Sequence, residues 1–234
     1  MRQTEDSYSN SQIYQEFKDI ERSEFRSIVR FFESHTSEIA QLEFDEYFEL
    51  LLTYADALFE IGTYHSYLSV ADQAIGITIE HNIKYYHGED IFFNLLFKKA
   101  AAHYNLLEYE KSEHILRELV KMNPDNEMTV RFLKKSIRQN KPGFLKSTRA
   151  TSVFLFLLTA GIIAVELCLV RPFFAEYIPI IELVRNVIFG AGWTILLVGD
   201  LFYRWLVNNK VNKFVGIVKE KKQKRKARKE AVVL

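Results

Sequence analysis

Between residues 10 and 140 the apolar side chains recur at helical spacing. In Tyr47 to Ile61 the residues Leu51, Tyr54, Ala55, Leu58 and Phe59 form one broad stripe, and Phe93, Leu96, Phe97, Ala100, Ala101 and Tyr104 form another. Proline and glycine rarely interrupt these stripes, and the strict alternation of a half-buried strand is missing, so the region predicts an all-α domain. Met128 to Gln139 fits a last helix of that domain, closed by Pro142-Gly143.

Beyond residue 150 the pattern changes from amphipathic to continuously apolar. Ala150 to Val165 carries no charge, and the twenty residues 151–170 reach about 30 Å as a helix, the thickness of a bilayer's hydrocarbon core. A second apolar stretch runs from Ile178 to Leu206, with 180–206 as its spanning part. Its charges sit at its ends, Glu182 with Arg185 at i,i+3 and Asp200 with Arg204 at i,i+4, where long side chains reach the interface. Tyr177, Tyr203 and Trp205 read as interfacial aromatics. Residues 171–179, bracketed by Pro172 and Pro179, suit a tight turn between the two spans. Gly192 and Gly199 share one helix face and suit close packing, with Ala160 and Gly161 as the facing surface.

Charge refines this organisation. The chain's net charge of +1 conceals an acidic first part, 24 Asp/Glu against 17 Lys/Arg in residues 1–146, and a basic tail, ten Lys/Arg against two Glu in 207–234. Lys and Arg flank the outer ends of the spans (Lys141, Lys146 and Arg149; Arg204, Lys210 and Lys213) more densely than the turn between them. The positive-inside rule then puts both termini in the cytoplasm. The polar first forty residues contain no signal peptide, which agrees. The expected location is integral to the membrane, a bacterial inner membrane in the first instance. The expected order is a helical domain (1–140), a linker (141–150), two spans (151–170 and 180–206) around a turn (171–179), and a basic cytoplasmic tail (207–234).

Within the helical domain two segments resemble each other. Ala55, Gly62, Tyr64, Ala71 and Ala74 mark one unit, and Ala100, Tyr109, Ser112 and Pro124 mark a second. This arrangement resembles the tetratricopeptide repeat: a small residue on the first helix, a turn ending in tyrosine, small residues on the second helix and a closing proline. Lys99 stands where that family has an apolar residue, Tyr67 where it has a small one, and the two turns lie 45 residues apart, where the family repeats every 34. The surplus falls around Ile77–Asp90, and residues 11–40 suit a degenerate third pair. The resemblance implies a concave face lined by first helices that binds a protein or peptide. Its positions here would be Glu49, Leu52, Asp56, Phe59, Glu60, Asn94, Phe97, Ala101, Tyr104 and Asn105. Acids, aromatics and amides of that kind suit a basic or amphipathic segment. The bland alternative is that the N-terminal helix, residues 11–34, covers them.

Candidate chemistry is sparse. The six histidines form no HExxH and no His/Cys cluster, and a loop site around His81, His87, Glu89 and Asp90 is better explained as polar loop residues. One cysteine, Cys168, precludes an intrachain disulfide. No phosphate loop or nucleophile motif appears, so the expectation is a non-enzyme without cofactor or metal. Glu166, Glu182 and Arg185 are the polar groups nearest the membrane interior. Intramembrane acids can line ion pathways, but Glu166 reads more simply as a headgroup-level acid near Arg171 or Arg185. The basic tail suits anionic lipid, and without interleaved aromatics it does not suggest nucleic acid. Two functions follow as expectations: a membrane-anchored scaffold that recruits a cytoplasmic partner or, alternatively, an oligomeric pore or transport subunit with the helical domain as sensor or gate.

Overall fold

A computed structural model describes residues 12–86, 88–140, 143–173 and 175–233. The chain is overwhelmingly helical and divides into two compact units, Met1–Thr129 and Val130–Leu234.

The first unit starts with α1 (residues 12–19), α2 (Phe25–Ser34) and the short α3 (Thr36–Ile39). Four longer helices follow: α4 (Phe44–Glu60), α5 (Tyr64–Glu80), α6 (Ile91–Asn105) and α7 (Tyr109–Met122). Each packs mainly on its chain neighbour, and α2 packs on α4. Alanines make this possible: Ala55, Ala57, Ala71, Ala74, Ala100 and Ala102 have no exposed surface, so the helix backbones approach closely. Ile13, Phe17, Ile28, Phe32, Phe48, Leu51, Leu58, Tyr67 and Leu95 fill the remaining space as one core. Tyr67, the bulky residue at a position expected to be small, is fully buried. Its hydroxyl donates to the Leu95 carbonyl at 3.4 Å, joining α5 to α6. Burial pushes that phenol well above its ordinary range. Phe32 stacks on Tyr54 at 4.1 Å, and burial followed by the nearby Glu33 carboxylate raises the Tyr54 hydroxyl to about 12.

Three helices of this unit end in the same way. In each, one residue takes positive φ (Gly62 at 82°, Asn82 at 52°, Leu107 at 62°). The next amide donates five residues back: Thr63 to Leu58, Ile83 to Thr78, Glu108 to His103, at 2.9–3.0 Å. This double-bonded cap satisfies carbonyls that a helix end otherwise leaves open. Gly62 suits it without strain, Asn82 tolerates it, and Leu107 is forced into a region that disfavours side chains.

Between α5 and α6 a two-residue antiparallel ribbon forms, β1 (Tyr85–Tyr86) with β2 (Glu89–Asp90), pairing Tyr85 with Asp90 and Tyr86 with Glu89. The sequence pattern, read as helix with a long connection, contains no sign of it, because two residues are too short for a period. The ribbon turns at Gly88 (φ 82°), and Asp90 caps α6 by accepting from the Phe93 amide at 3.0 Å. His87 lies outside the described residues.

α8 (Glu127–Gln139) leads from the first unit into the second. The second unit continues with α9 (Gly143–Val165), a π-helical turn (Glu166–Val170), the single turn α10 (Arg171–Phe173), a 3₁₀ turn (Ala175–Tyr177) and α11 (Ile178–Val233). Two segments, Ser147–Val170 and Ile178–Arg225, are long and apolar enough to cross a membrane. Residues from Val130 onward group with the hairpin, where the end of α8 packs on α11: the Tyr203 hydroxyl donates to the Ile137 carbonyl at 2.9 Å and the Asn140 carbonyl at 3.2 Å, and Arg138 donates to Asn208 at 2.8 Å. Tyr203 is thus buried, whereas Tyr177 and Trp205 are exposed. The linker is helical from Gly143 (Lys141 and Pro142 lie outside the described residues), and the tail continues α11 without a break. At 56 residues α11 is about 84 Å long.

The two positive-φ positions make opposite predictions. Leu107→Gly relieves the cap and should stabilise the domain by about 0.5–1 kcal/mol, whereas Gly62→Ala should destabilise it by about 1 kcal/mol. No atom lies within 4 Å of a Cβ at Gly62, so backbone strain alone is probed there. Urea midpoints at constant slope are the measurement.

Candidate functional site

Two regions concentrate polar groups in defined geometry, one in each unit.

In the first unit a cavity of about 630 Å³ is lined by Glu49, Leu52 and Asp56 of α4, Asn94 and Phe97 of α6, and residues preceding and within α2. Half of the ten sequence-derived groove positions therefore share one concavity. They do so because Glu49, Leu52 and Asp56 are three and four apart on one helix face, and Asn94 and Phe97 are three apart on the next. Of the others, Phe59 packs edge-on to Tyr64 and Tyr67, with the Lys98 ammonium 5.9 Å from its ring. Tyr104 packs on Tyr109, Ala101 is half-buried, and Glu60 and Asn105 are exposed.

The N-terminal helices cover part of this face. Glu49 accepts from the Tyr14 hydroxyl at 2.7 Å and pairs with Lys18, and these bonds raise both the Tyr14 and the Lys18 pKa. Phe25 and Ile28 form the far wall of the cavity. Asp56 pairs with Lys98 at 2.7 Å, and Asn94 donates to Glu89 at 2.7 Å. Lys99, unusual in the sequence, pairs with Asp72 across α5 and α6. Sequence reasoning missed Lys98, whose ammonium reaches both Asp56 and the Phe59 ring. Position 98 has no helix-face signal that distinguishes it from any solvated lysine. It also missed His103, buried and bonded through Nδ1 to Glu108 at 2.6 Å. Lys111 first, then His103, holds the Glu108 carboxyl below its ordinary range.

In the second unit α9 and α11 form a hairpin whose buried and exposed sides are inverted relative to a water-soluble domain. Ser152, Thr159 and Glu166 are buried in the seam, while Phe154, Leu157, Leu183, Val187, Trp193, Leu197 and Leu201 face outward. Gly192 lies so close to α9 that a Cβ there would meet the Phe156 ring at 2.9 Å, and one at Gly199 would meet Thr148 at 2.8 Å. The glycines thus act as expected, but their counterparts are Phe156 and Thr148. Gly161 has nothing within 4 Å, because the seam follows the small polar residues 148, 152 and 159. Ser152 and Thr159 donate to carbonyls four residues back, Thr148 and Leu155, at 3.0 and 2.8 Å, which leaves the seam without unsatisfied hydroxyls at those positions.

Glu166 ends this seam at 1% exposure. Its carboxylate receives Arg185 Nη1 at 2.7 Å and Arg171 Nη2 at 3.3 Å. Arg185 therefore turns to Glu166 and not to its i−3 neighbour Glu182, since Glu166 is the buried carboxylate across the seam. The π-turn explains the Arg171 contact. Five residues along an α-helix end about 140° away, but a π-turn, closed here by the Arg171 amide to the Glu166 carbonyl, brings the fifth residue back above the first. At the opposite end Asp200 pairs with Arg204 at 2.9 Å and approaches Arg149 at 3.9 Å. Among the described residues no group of His, Cys, Asp and Glu could hold a metal ion.

No family model matches the chain, and comparison with curated proteins and solved structures finds no match either.

Glu166→Gln should leave two guanidinium groups facing each other over a buried amide. The expected loss is about 2–4 kcal/mol of hairpin stability. Glu182→Gln, which removes no observed pair, should change it by less than about 0.5 kcal/mol. Thermal unfolding of both variants in neutral detergent makes the comparison.

Proposed function

We propose that the chain is a membrane-anchored interaction protein: the α9–α11 hairpin spans the bilayer with both termini in the cytoplasm, and the helical domain, a tetratricopeptide-like stack, recruits a protein partner to its α4–α6 groove. One observation carries the recruiting role. Glu49, Leu52, Asp56, Asn94 and Phe97, named from repeat geometry alone, line one cavity of about 630 Å³. Phe97 and Leu52 supply the apolar floor, and Asp56, Glu49 and Glu89 stand around it together with Lys98 and Arg22. Residues 1–129 hold 24 Asp/Glu against 11 Lys/Arg, so a basic, amphipathic segment is the complementary partner. The anchoring role rests on the inverted hairpin, which presents most of its large apolar side chains outward and keeps Ser152, Thr159 and Glu166 in its seam. A pore reading drew its motive from Glu166. That carboxylate is occupied by Arg171 and Arg185 and serves the hairpin's own packing.

The test is crosslinking in native membranes followed by identification of captured proteins. Phe97→Ala and Asp56→Lys should each lower capture of a specific cytoplasmic partner at least about ten-fold, the effect of losing a buried anchor or inverting a complementary charge. Capture unchanged in both variants, with helicity intact, would remove the groove from the account.

A further inference from the structure

The charged end of the hairpin encloses a second cavity, of about 900 Å³, entirely within the second unit. Its polar lining is Lys135, Arg138 and Gln139 of α8, Arg149 of α9, and Asp200 and Arg204 of α11. Even without Lys135, three arginines thus surround a single carboxylate. Asp200 is engaged by Arg204 at 2.9 Å and lies 3.9 Å from Arg149, so it cannot neutralise the site. Arg138 spends one terminal nitrogen on Asn208 at 2.8 Å, while its Nε is buried with no hydrogen-bond partner among the described residues. The rest of the lining is apolar: Val153, Leu197 and Leu201, among the outward residues of the two spans, continue directly from the cationic rim.

We propose that this cavity binds an anionic phospholipid, with its phosphate among Lys135, Arg138 and Arg149 and an acyl chain along Val153, Leu197 and Leu201. The inference rests on the membrane-spanning reading above. A free phosphate would satisfy the cations but leave the apolar wall unused. A zwitterionic lipid would bring its own ammonium into a site already in cationic excess. Basic pockets at the cytoplasmic ends of spanning helices hold anionic headgroups for this reason. The tail is a poorer lipid contact. Its basic run opens at Lys219, fifteen residues past Arg204 on an unbroken helix, which is about 22 Å along the axis and well beyond the roughly 8 Å Debye length. Its charges also wrap the whole circumference and leave no apolar face to lie on a membrane.

The experiment begins with a carbonate wash of membranes containing the full chain. Release into the wash overturns the spanning reading and the lipid site with it. Retention isolates the lipid question, which native mass spectrometry of the detergent-purified full chain then answers with phosphatidylglycerol, phosphatidylcholine and inorganic phosphate as probes. The expected result is selective retention of phosphatidylglycerol that equimolar phosphate does not displace. Lys135→Gln/Arg149→Gln, both on the rim, should weaken retention about thirty-fold, two basic contacts at their usual worth near an anionic headgroup. Lys221→Gln/Lys222→Gln in the tail should leave it unchanged. Equal retention of both lipids, displacement by phosphate, or loss in the tail variant in place of the rim variant would each overturn the lipid site while leaving the anchor standing.

Discussion

Apart from Phe156, which lies over Gly192, the buried side chains that α9 and α11 turn toward each other are mostly small or polar, and those they turn away are mostly large and apolar. Between two helices in water such an arrangement has no driving force, because association would bury little apolar surface and leave much exposed. Surrounded by hydrocarbon, the preference reverses: outward leucines and phenylalanines are at home, and close packing over glycine supplies the attraction. The other features of the hairpin follow from this constraint. Gly192 and Gly199 admit the facing helix, the seam hydroxyls bond to their own backbone, and a single buried acid must be neutralised inside the hairpin. The π-turn at Glu166–Val170 accomplishes the last by bringing Arg171 over Glu166 while Arg185 approaches from the other helix.

The helical domain obeys the opposite rule. Its core is built from Phe, Leu, Ile and Tyr around buried alanines, and its helices are joined by a cap geometry used three times. One cap geometry closes α4, α5 and α6 at Gly62, Asn82 and Leu107, and α4 and α6 both line one cavity. Tyr67 occupies the space between α5 and α6 that a smaller residue would leave open. In the proposed function the groove faces a cytoplasmic partner and the hairpin holds it at the bilayer, with the acidic charge of the domain selecting basic segments.

Helical periodicity made the all-α architecture legible, and uninterrupted apolar length made α9 legible; α11 was legible only as far as residue 206, because its continuation is charged and carries no uninterrupted apolar run. The glycine face was readable because Gly192 and Gly199 are seven apart, but its counterparts were not: seam position depends on which residues of α9 meet α11, and composition favoured Ala160-Gly161 over the Phe156 and Thr148 actually found. Glu166 was legible as an acid near Arg171 or Arg185 and pairs with both, whereas the i,i+3 spacing of Glu182 with Arg185 yields no pair because the buried carboxylate across the seam takes Arg185. The cap at Leu107 was invisible because the sequence carries leucine where glycine is the usual signal, and the ribbon at Tyr85–Asp90 was too short for any period. Half of the candidate groove positions converge because i, i+3 and i+4 spacing fixes a helix face. The cover supplied by α1 and α2 depends on tertiary packing that no local pattern encodes.

The central claim is that the hairpin crosses the bilayer and returns. In a Cys168→Ser background, Glu176→Cys in the turn and Lys213→Cys beyond the second span can each be labelled with a membrane-impermeant maleimide in right-side-out and inverted vesicles. The account predicts that Glu176→Cys reacts only in right-side-out vesicles and Lys213→Cys only in inverted ones. Labelling of both positions from the same side would contradict it.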